Sequence, residues 1–266
     1  MIAIYYIATD EYATFAEGFL DTLKFFWPEE EKTVVLIGDE SMTRYAGKKE
    51  GIEIRYSHAN HYPWPILSMY KFHLIKDNKV AGAKFHFLFN ANILFCDVDF
   101  DYSFFKRGIV CTQHASFDYR RKDYVQGASI SLPDEVFDVF CNEHVLRVNE
   151  YIQKLHRVPE WHDETVLNEM LIHDKAFDFN FFPIEKGLRW LWYDESPWPQ
   201  KGLCYLCNKE FQKNFKNDYK NAISAKSGIG QRIISKCRQI LRRILKMLKI
   251  LLTLLPTLLL RETATR

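Results

Sequence analysis

The sequence predicts an α/β fold, and three observations carry that prediction. Short strand-like segments recur through the first half, at residues 2–7, 33–37, 52–56 and 85–89. Between them lie segments with helical spacing, such as 12–26, where Phe15, Phe19, Leu20 and Leu23 share one side. The 266-residue chain is 47% hydrophobic and 15% aromatic, which excludes disorder and allows a sizeable core. Strands alternating with helices give a mostly parallel sheet flanked by helices on both faces.

Each element has its own signal. The opening Met1-Ile2-Ala3-Ile4-Tyr5-Tyr6-Ile7 lacks a basic leader region and a small-residue cleavage site, so it reads as the first strand. That reading implies a cytosolic location and reduced thiols. The helix over 12–26 stops at Pro28. Strands follow at 33–37 and 52–56, then a helix over 67–75 and the strand at 85–89. A further strand is expected at 108–112 and a basic surface loop at 117–123, with Arg120-Arg121-Lys122. Ser131 and Pro133 begin a helix over 133–148, and another helix covers 164–172. Residues 190–206 read as an aromatic loop leading into a strand. No internal repeat is visible.

Charge divides the chain. Residues 1–218 hold 25 Lys+Arg and 33 Asp+Glu; residues 219–266 hold 11 Lys+Arg and a single acid, Glu262. Within 227–260, Ile233, Cys237, Ile240, Ile244, Met247, Leu248 and Leu251 form one helical stripe, and Arg232, Lys236, Arg243 and Lys246 form another. The apolar end that follows, residues 250–260 with Pro256, is too short for a span of about 20 residues. A basic amphipathic helix with a greasy end suits an anchor lying on anionic lipid; helix packing within the protein is the alternative. The expected division is a catalytic domain over 1–220 and a membrane-binding tail over 221–266. The six cysteines form no dense framework, and Cys204-Tyr205-Leu206-Cys207 lacks the second ligand pair that a zinc site needs.

The motifs that bear chemistry are two. Phe85-His86-Phe87-Leu88-Phe89 ends in Asn90-Ala91-Asn92, and in open α/β sheets ligands bind beyond the carboxyl ends of strands. Neutral amides there suit hydrogen bonding better than a hard cation, which prefers carboxylates. Downstream stands Trp161-His162-Asp163-Glu164-Thr165-Val166-Leu167-Asn168. Sugars present hydroxyls and an apolar face, and this run supplies carboxylates, an imidazole and an aromatic ring together. Taken without any relative, Glu164 also reads as a helix-start acid that favours the dipole.

Together these segments resemble the family of retaining glycosyltransferases that includes the ABO blood-group enzymes and mammalian α-1,3-galactosyltransferase. The likeness is closer to its short bacterial members, with Asn-Ala-Asn where the animal enzymes have Asp-Val-Asp. Further matches are Trp64-x-x-x-Ser68-Met69-x-Lys71, Gln113-His114-x-x-Phe117 and Tyr6-Ile7-Ala8-Thr9-x-x-Tyr12, in an order that agrees from residue 1 to about 215.

The resemblance implies a single GT-A type nucleotide-sugar domain and transfer of galactose or N-acetylgalactosamine from a UDP-sugar to a glycan in α-1,3 linkage. It makes Glu164 the catalytic carboxylate. It assigns the donor to Ile7, Ala8, Thr9 and Tyr12 around the uracil, to Asn90, Asn92 and Asp163, and to Lys71 and Lys209 near the diphosphate. It assigns the acceptor to His114, Gln126, Trp161 and His162. Gln126-Gly127-Ala128-Ser129 departs from the family's usual pattern, which leaves the choice of donor open. Lys71 stands where the family has Arg, which loses the bidentate fork. The expected partners are a UDP-sugar, a glycan acceptor and an anionic membrane surface on the cytoplasmic side, with no nucleic acid. No cofactor is expected. The alternatives are a Mn²⁺- or Mg²⁺-dependent transferase using Asp97 and Asp99, and a non-catalytic protein that binds sugar nucleotide or membrane.

Overall fold

An almost wholly buried strand, β1 (Ile2–Ala8), is the axis of the fold. In the computed structural model a 3₁₀ segment, Asp10–Phe15, follows it and leads into α1 (Ala16–Phe26). The chain continues through β2 (Lys32–Gly38), β3 (Gly47–Lys49), β4 (Ile52–His58), α2 (Ile66–Met69) and α3 (Lys71–Asp77). Next come β5 (Phe85–Asn90), β6 (Ile93–Phe95), β7 (Ile109–Gln113), β8 (Val125–Pro133) and α4 (Asp134–Asn149). Last are α5 (His162–Asn168), β9 (Phe179–Phe182), β10 (Leu188–Leu191) and β11 (Leu203–Leu206). The structure describes residues 1–28, 30–49, 51–59, 62, 65–95, 103, 106–113, 124–182, 188–191 and 203–206. The chain divides between Lys216 and Asn217 into two units; the second, with the expected amphipathic tail, lies outside the described residues. Among the described residues no helix is long and apolar enough to cross a membrane.

The larger sheet has the order β3-β4-β2-β1-β5-β8-β7-β9. Its centre, β4-β2-β1-β5, is parallel, while β8 runs antiparallel to both β5 and β7. A smaller sheet has the order β10-β11-β6. The fold class is therefore α/β with a mixed, mostly parallel centre.

Alternation along β1 and β5 builds two cores. On one face Tyr6, Phe87 and Phe89 meet α1 and β6: Phe19 lies 4.6 Å from Tyr6 and 5.4 Å from Phe95, and Trp27 meets Phe87 edge-on at 5.3 Å. On the other face Tyr5, His86 and Leu88 pack under α3 and α4, with Phe137 4.1 Å from His86 and Phe72 5.4 Å from Phe140.

Several boundaries differ from the sequence pattern. The first helix begins only at Ala16, because residues 10–15 wind as 3₁₀ from an Asp10 with φ 50°. Tyr70, near φ −87° and ψ 4°, breaks the expected 67–75 helix into α2 and α3. Ser131 caps no helix; it lies within β8, opposite Phe87 and Val110. The polar groups of β8 are satisfied across the sheet, where the Thr112 hydroxyl donates to the Ser129 carbonyl at 2.9 Å and accepts from its N–H at 3.0 Å. The helix expected at 164–172 changes to a π turn at Glu169–His173, as α4 does at Glu150–Lys154. Wide backbone bonds mark both turns, Leu155 N–H to the Glu150 carbonyl at 3.0 Å and Asp174 N–H to that of Glu169 at 2.9 Å. The Tyr151 hydroxyl joins them through the Glu169 carboxylate.

The connections out of β1 and β4 leave on opposite sides of β1, toward β2 and β5 respectively. That reversal falls at the carboxyl ends of β1 and β5, the place where open α/β sheets bind ligands in a crevice. Gly38, at the end of β2, has φ 142°, and a β-carbon there would overlap the Ala8 carbonyl oxygen at the crevice rim. Gly51, with φ 87°, has open space around it. We therefore expect Gly38→Ala to lower unfolding free energy by about 2–4 kcal/mol and Gly51→Ala by about 1 kcal/mol. Urea denaturation of the two variants checks the difference; equal losses would contradict the close approach at Ala8.

Candidate active site

The crevice is assembled from β1, β5, β8, the α2–α3 break and α5. Ile7 pairs with Asn90 in register, so the β1 end carrying Ala8, Thr9 and Tyr12 runs alongside the Asn90-Ala91-Asn92 turn. Tyr12 is 36% exposed, while Ile7, Thr9, Asn90 and Asn92 are half-buried. Phe89 stands opposite Ser129, so Gly127, two residues earlier in the antiparallel β8, runs past the end of β5.

At Gly127 the strand meets α5. Its N–H donates to Glu164 Oε1 at 3.2 Å, and its carbonyl accepts from Lys71 Nζ at 3.0 Å. Lys71 Nζ also pairs with Asp163 Oδ2, and the Ser68 hydroxyl donates to Asp163 Oδ1. The Lys71 and Asp163 side chains are only 7% and 6% exposed. A β-carbon at Gly127 would lie 2.6 Å from Asp163 Oδ2 and 2.9 Å from Lys71 Nζ, so the charged pair would have to shift to admit one. The break at Tyr70 lets Ser68 and Lys71 reach the same carboxylate.

Asn168, one turn after Glu164, fixes α5 on β8. Its amide accepts from Val125 N–H and donates to the Val125 carbonyl, both at 2.8 Å, and donates to the Glu164 carbonyl at 2.7 Å. Burial, reinforced by the Asp163 charge, pushes the Glu164 carboxyl up to about 7 against the opposing effects of the Gly127 amide and Lys71. Behind the cluster His144 is wholly buried, 4.3 Å from the Phe72 ring. Burial, aided by the Lys71 and Arg147 charges, pushes its imidazole down to about 3. It is thus a neutral packing group at working pH.

The structure brings Lys71, Asp163 and Glu164 into direct contact with Gly127, and pairs Asn90 with Ile7. Gln126, on β8, is 4% exposed. Trp161, 45% exposed, and His162, at a left-handed φ of 49°, lie at the start of α5. His114, Lys209, Asp97 and Asp99 lie outside the described residues, as do Trp64 and Phe117. Among the described residues no group of three His, Cys, Asp or Glu side chains could hold a metal ion. Ser68, Gly127, His144 and Asn168 escape the site list read from sequence. For Ser68 and Asn168 a signal existed, their spacing of three and four residues from Lys71 and Glu164. Comparison with protein-family models and with curated proteins finds no match for this chain.

Removing one partner of a buried ion pair strands the other. Lys71→Met should therefore cost about 3–5 kcal/mol in urea denaturation. Adding Asp163→Asn to that variant should recover a substantial part of the loss, because no unpaired charge then remains. A double variant less stable than Lys71→Met would contradict the pairing.

Proposed function

We propose that this chain is a retaining glycosyltransferase with a GT-A type nucleotide-sugar domain. It moves galactose or N-acetylgalactosamine from a UDP-sugar to a 3-hydroxyl of a glycan, for bacterial surface-glycan synthesis. The observation that carries the reading is Glu164. It is a half-buried carboxylate at the crevice end, hydrogen-bonded to Gly127 and next to the Lys71–Asp163 pair. The base of the donor lies against Ile7, Ala8, Thr9 and Tyr12, and its sugar extends past Asn90 and Asn92 toward Gly127 and Glu164.

When UDP leaves, positive charge develops on the anomeric carbon. A carboxylate in a low-dielectric site stabilises that charge, either by bonding to the carbon or as a close ion pair. Asp163, held by Lys71 and Ser68, orients the donor sugar's hydroxyls, and Trp161 and His162 face the acceptor. Because the Lys71 ammonium is matched to Asp163 and the Gly127 carbonyl, the reading assigns the diphosphate's charge to Lys209. No divalent ion is required, since amides occupy the position where paired carboxylates would hold one.

A UDP-release assay with UDP-galactose and UDP-N-acetylgalactosamine tests the reading, with water as a slow acceptor. Glu164→Gln should lower turnover by at least about two orders of magnitude while UDP still binds. The wild-type kcat/KM should fall on the acid side with an apparent pKa near 7, because the protonated carboxyl cannot stabilise the cation. The raised value also means that the fold favours the neutral acid. Stability is then lost as pH rises from the ordinary carboxyl range through 7, and Glu164→Gln should be the more stable protein at pH 8. Excess EDTA should leave the rate unchanged; loss with EDTA and recovery with Mn²⁺ would shift the assignment to Asp97 and Asp99. A near wild-type rate in Glu164→Gln would reject the catalytic role and favour a non-catalytic binding protein.

We propose that the tail binds an anionic membrane surface. Seven Lys/Arg fall from Arg232 to Lys249, each worth about 1 kcal/mol near such a surface. The full chain should cosediment with anionic vesicles, less so at high salt. A chain ending at Lys226 should lose that binding and keep UDP-sugar hydrolysis. Loss of both activities together would instead make the tail part of the fold.

A further inference from the structure

Tyr6 lies on β1, one residue before the uracil-side segment, and is fully buried with its ring against Phe19. Its hydroxyl is directed at two carbonyls, that of Ala91 at 3.0 Å and that of Tyr12 at 3.2 Å. Ala91 is the middle of the Asn90-Ala91-Asn92 turn, and Tyr12 belongs to the loop after β1. The two segments lie side by side beyond the carboxyl ends of β1 and β5. One phenolic proton is shared between them, and burial holds the phenol well above its ordinary value, so it stays a donor.

The neighbouring Tyr5 makes the opposite use of the same group. It points to the other face, where its hydroxyl meets His86 Nδ1 at 3.0 Å and accepts from the Val80 N–H at 3.2 Å. His86 lies two residues toward the amino end of β5 from Leu88, the partner of Tyr5; Ala91 lies two residues toward the carboxyl end from Phe89, the partner of Tyr6. Of these two adjacent buried phenols, only Tyr6 bonds the segments beyond the carboxyl ends of β1 and β5.

We infer that the Tyr6 hydroxyl is a positioning group that ties these two segments together and so presets them for a ligand touching both, a nucleoside diphosphate. The inference rests on reading the crevice as a UDP-sugar site. A nucleoside without phosphates touches only the Tyr12 segment and depends little on the tie. A diphosphate reaching the Asn90–Asn92 turn depends on it.

Titration calorimetry of the full chain with UDP and with uridine tests this in three proteins: wild type, Tyr6→Phe and Tyr5→Phe. Each variant removes one buried hydroxyl and keeps the ring, so both lose stability. Tyr6→Phe should weaken UDP about tenfold, the scale of one lost buried hydrogen bond, and uridine by no more than about threefold. Retained uridine binding also shows that the variant is folded. Tyr5→Phe should keep UDP affinity within about twofold. Equal UDP affinity in Tyr6→Phe and wild type would overturn the inference, as would an equal loss in Tyr5→Phe. Wild-type protein that binds neither ligand would reject the crevice reading itself, and the positioning role with it.

Discussion

The site depends on one buried ion pair. Lys71 and Asp163 come from α3 and α5, and both press against the backbone of β8 at Gly127. Such a pair is poor evidence for stability, since desolvation offsets much of its attraction. Its consequence is geometric. A charge that cannot be left unpaired fixes the distance between two helices and a strand, and the residue beside it inherits that position. Glu164 is held by what Asp163 needs. The absence of a side chain at Gly127 is the matching constraint, because the strand must pass where a β-carbon would collide with both charged groups.

The two ends of the sheet are treated differently. At the amino end, Tyr5, His86, Asp134 and Lys79 form a closed series of polar contacts, with His86 Nε2 3.0 Å from Asp134 and Lys79 2.9 Å from the same carboxylate. Each group there has its partner within the protein, and burial keeps His86 below its ordinary value. At the carboxyl end the carboxylates crowd, and Glu164 is displaced toward neutrality by burial and by Asp163. The two ends therefore differ in how their buried charges are compensated.

Much of this was legible in the sequence. The strands β1, β2 and β5 are apolar runs with both faces covered, and β4 alternates apolar and polar residues, so no tertiary knowledge is needed to find them. β8 was not, because Gln126-Gly127-Ala128-Ser129 is small and polar; its hydrogen bonding is completed by Thr112, a residue on another strand. The break at Tyr70 and the 3₁₀ winding after Thr9 are likewise set by what they position, not by local propensity. In the site, Asp163 and Glu164 could be read from their motif. The orientation of Lys71, toward Asp163 at the crevice wall, could not, since it depends on a partner 92 positions away. His144 and Tyr6 carry no signal at all as single residues; only packing makes one a neutral backing and the other a tie.

The π turns that close α4 and α5 have an evolutionary reading. A turn with bonds from residue i to i+5 accommodates one more residue than an α-turn, without changing the helix before it. Asp163, Glu164 and Asn168 lie upstream of the turn at Glu169–His173, so a length change there is absorbed after the site and never rotates it. The same holds for His144 upstream of Glu150–Lys154. The helix phase that carries the charged cluster is thereby set before either turn is reached.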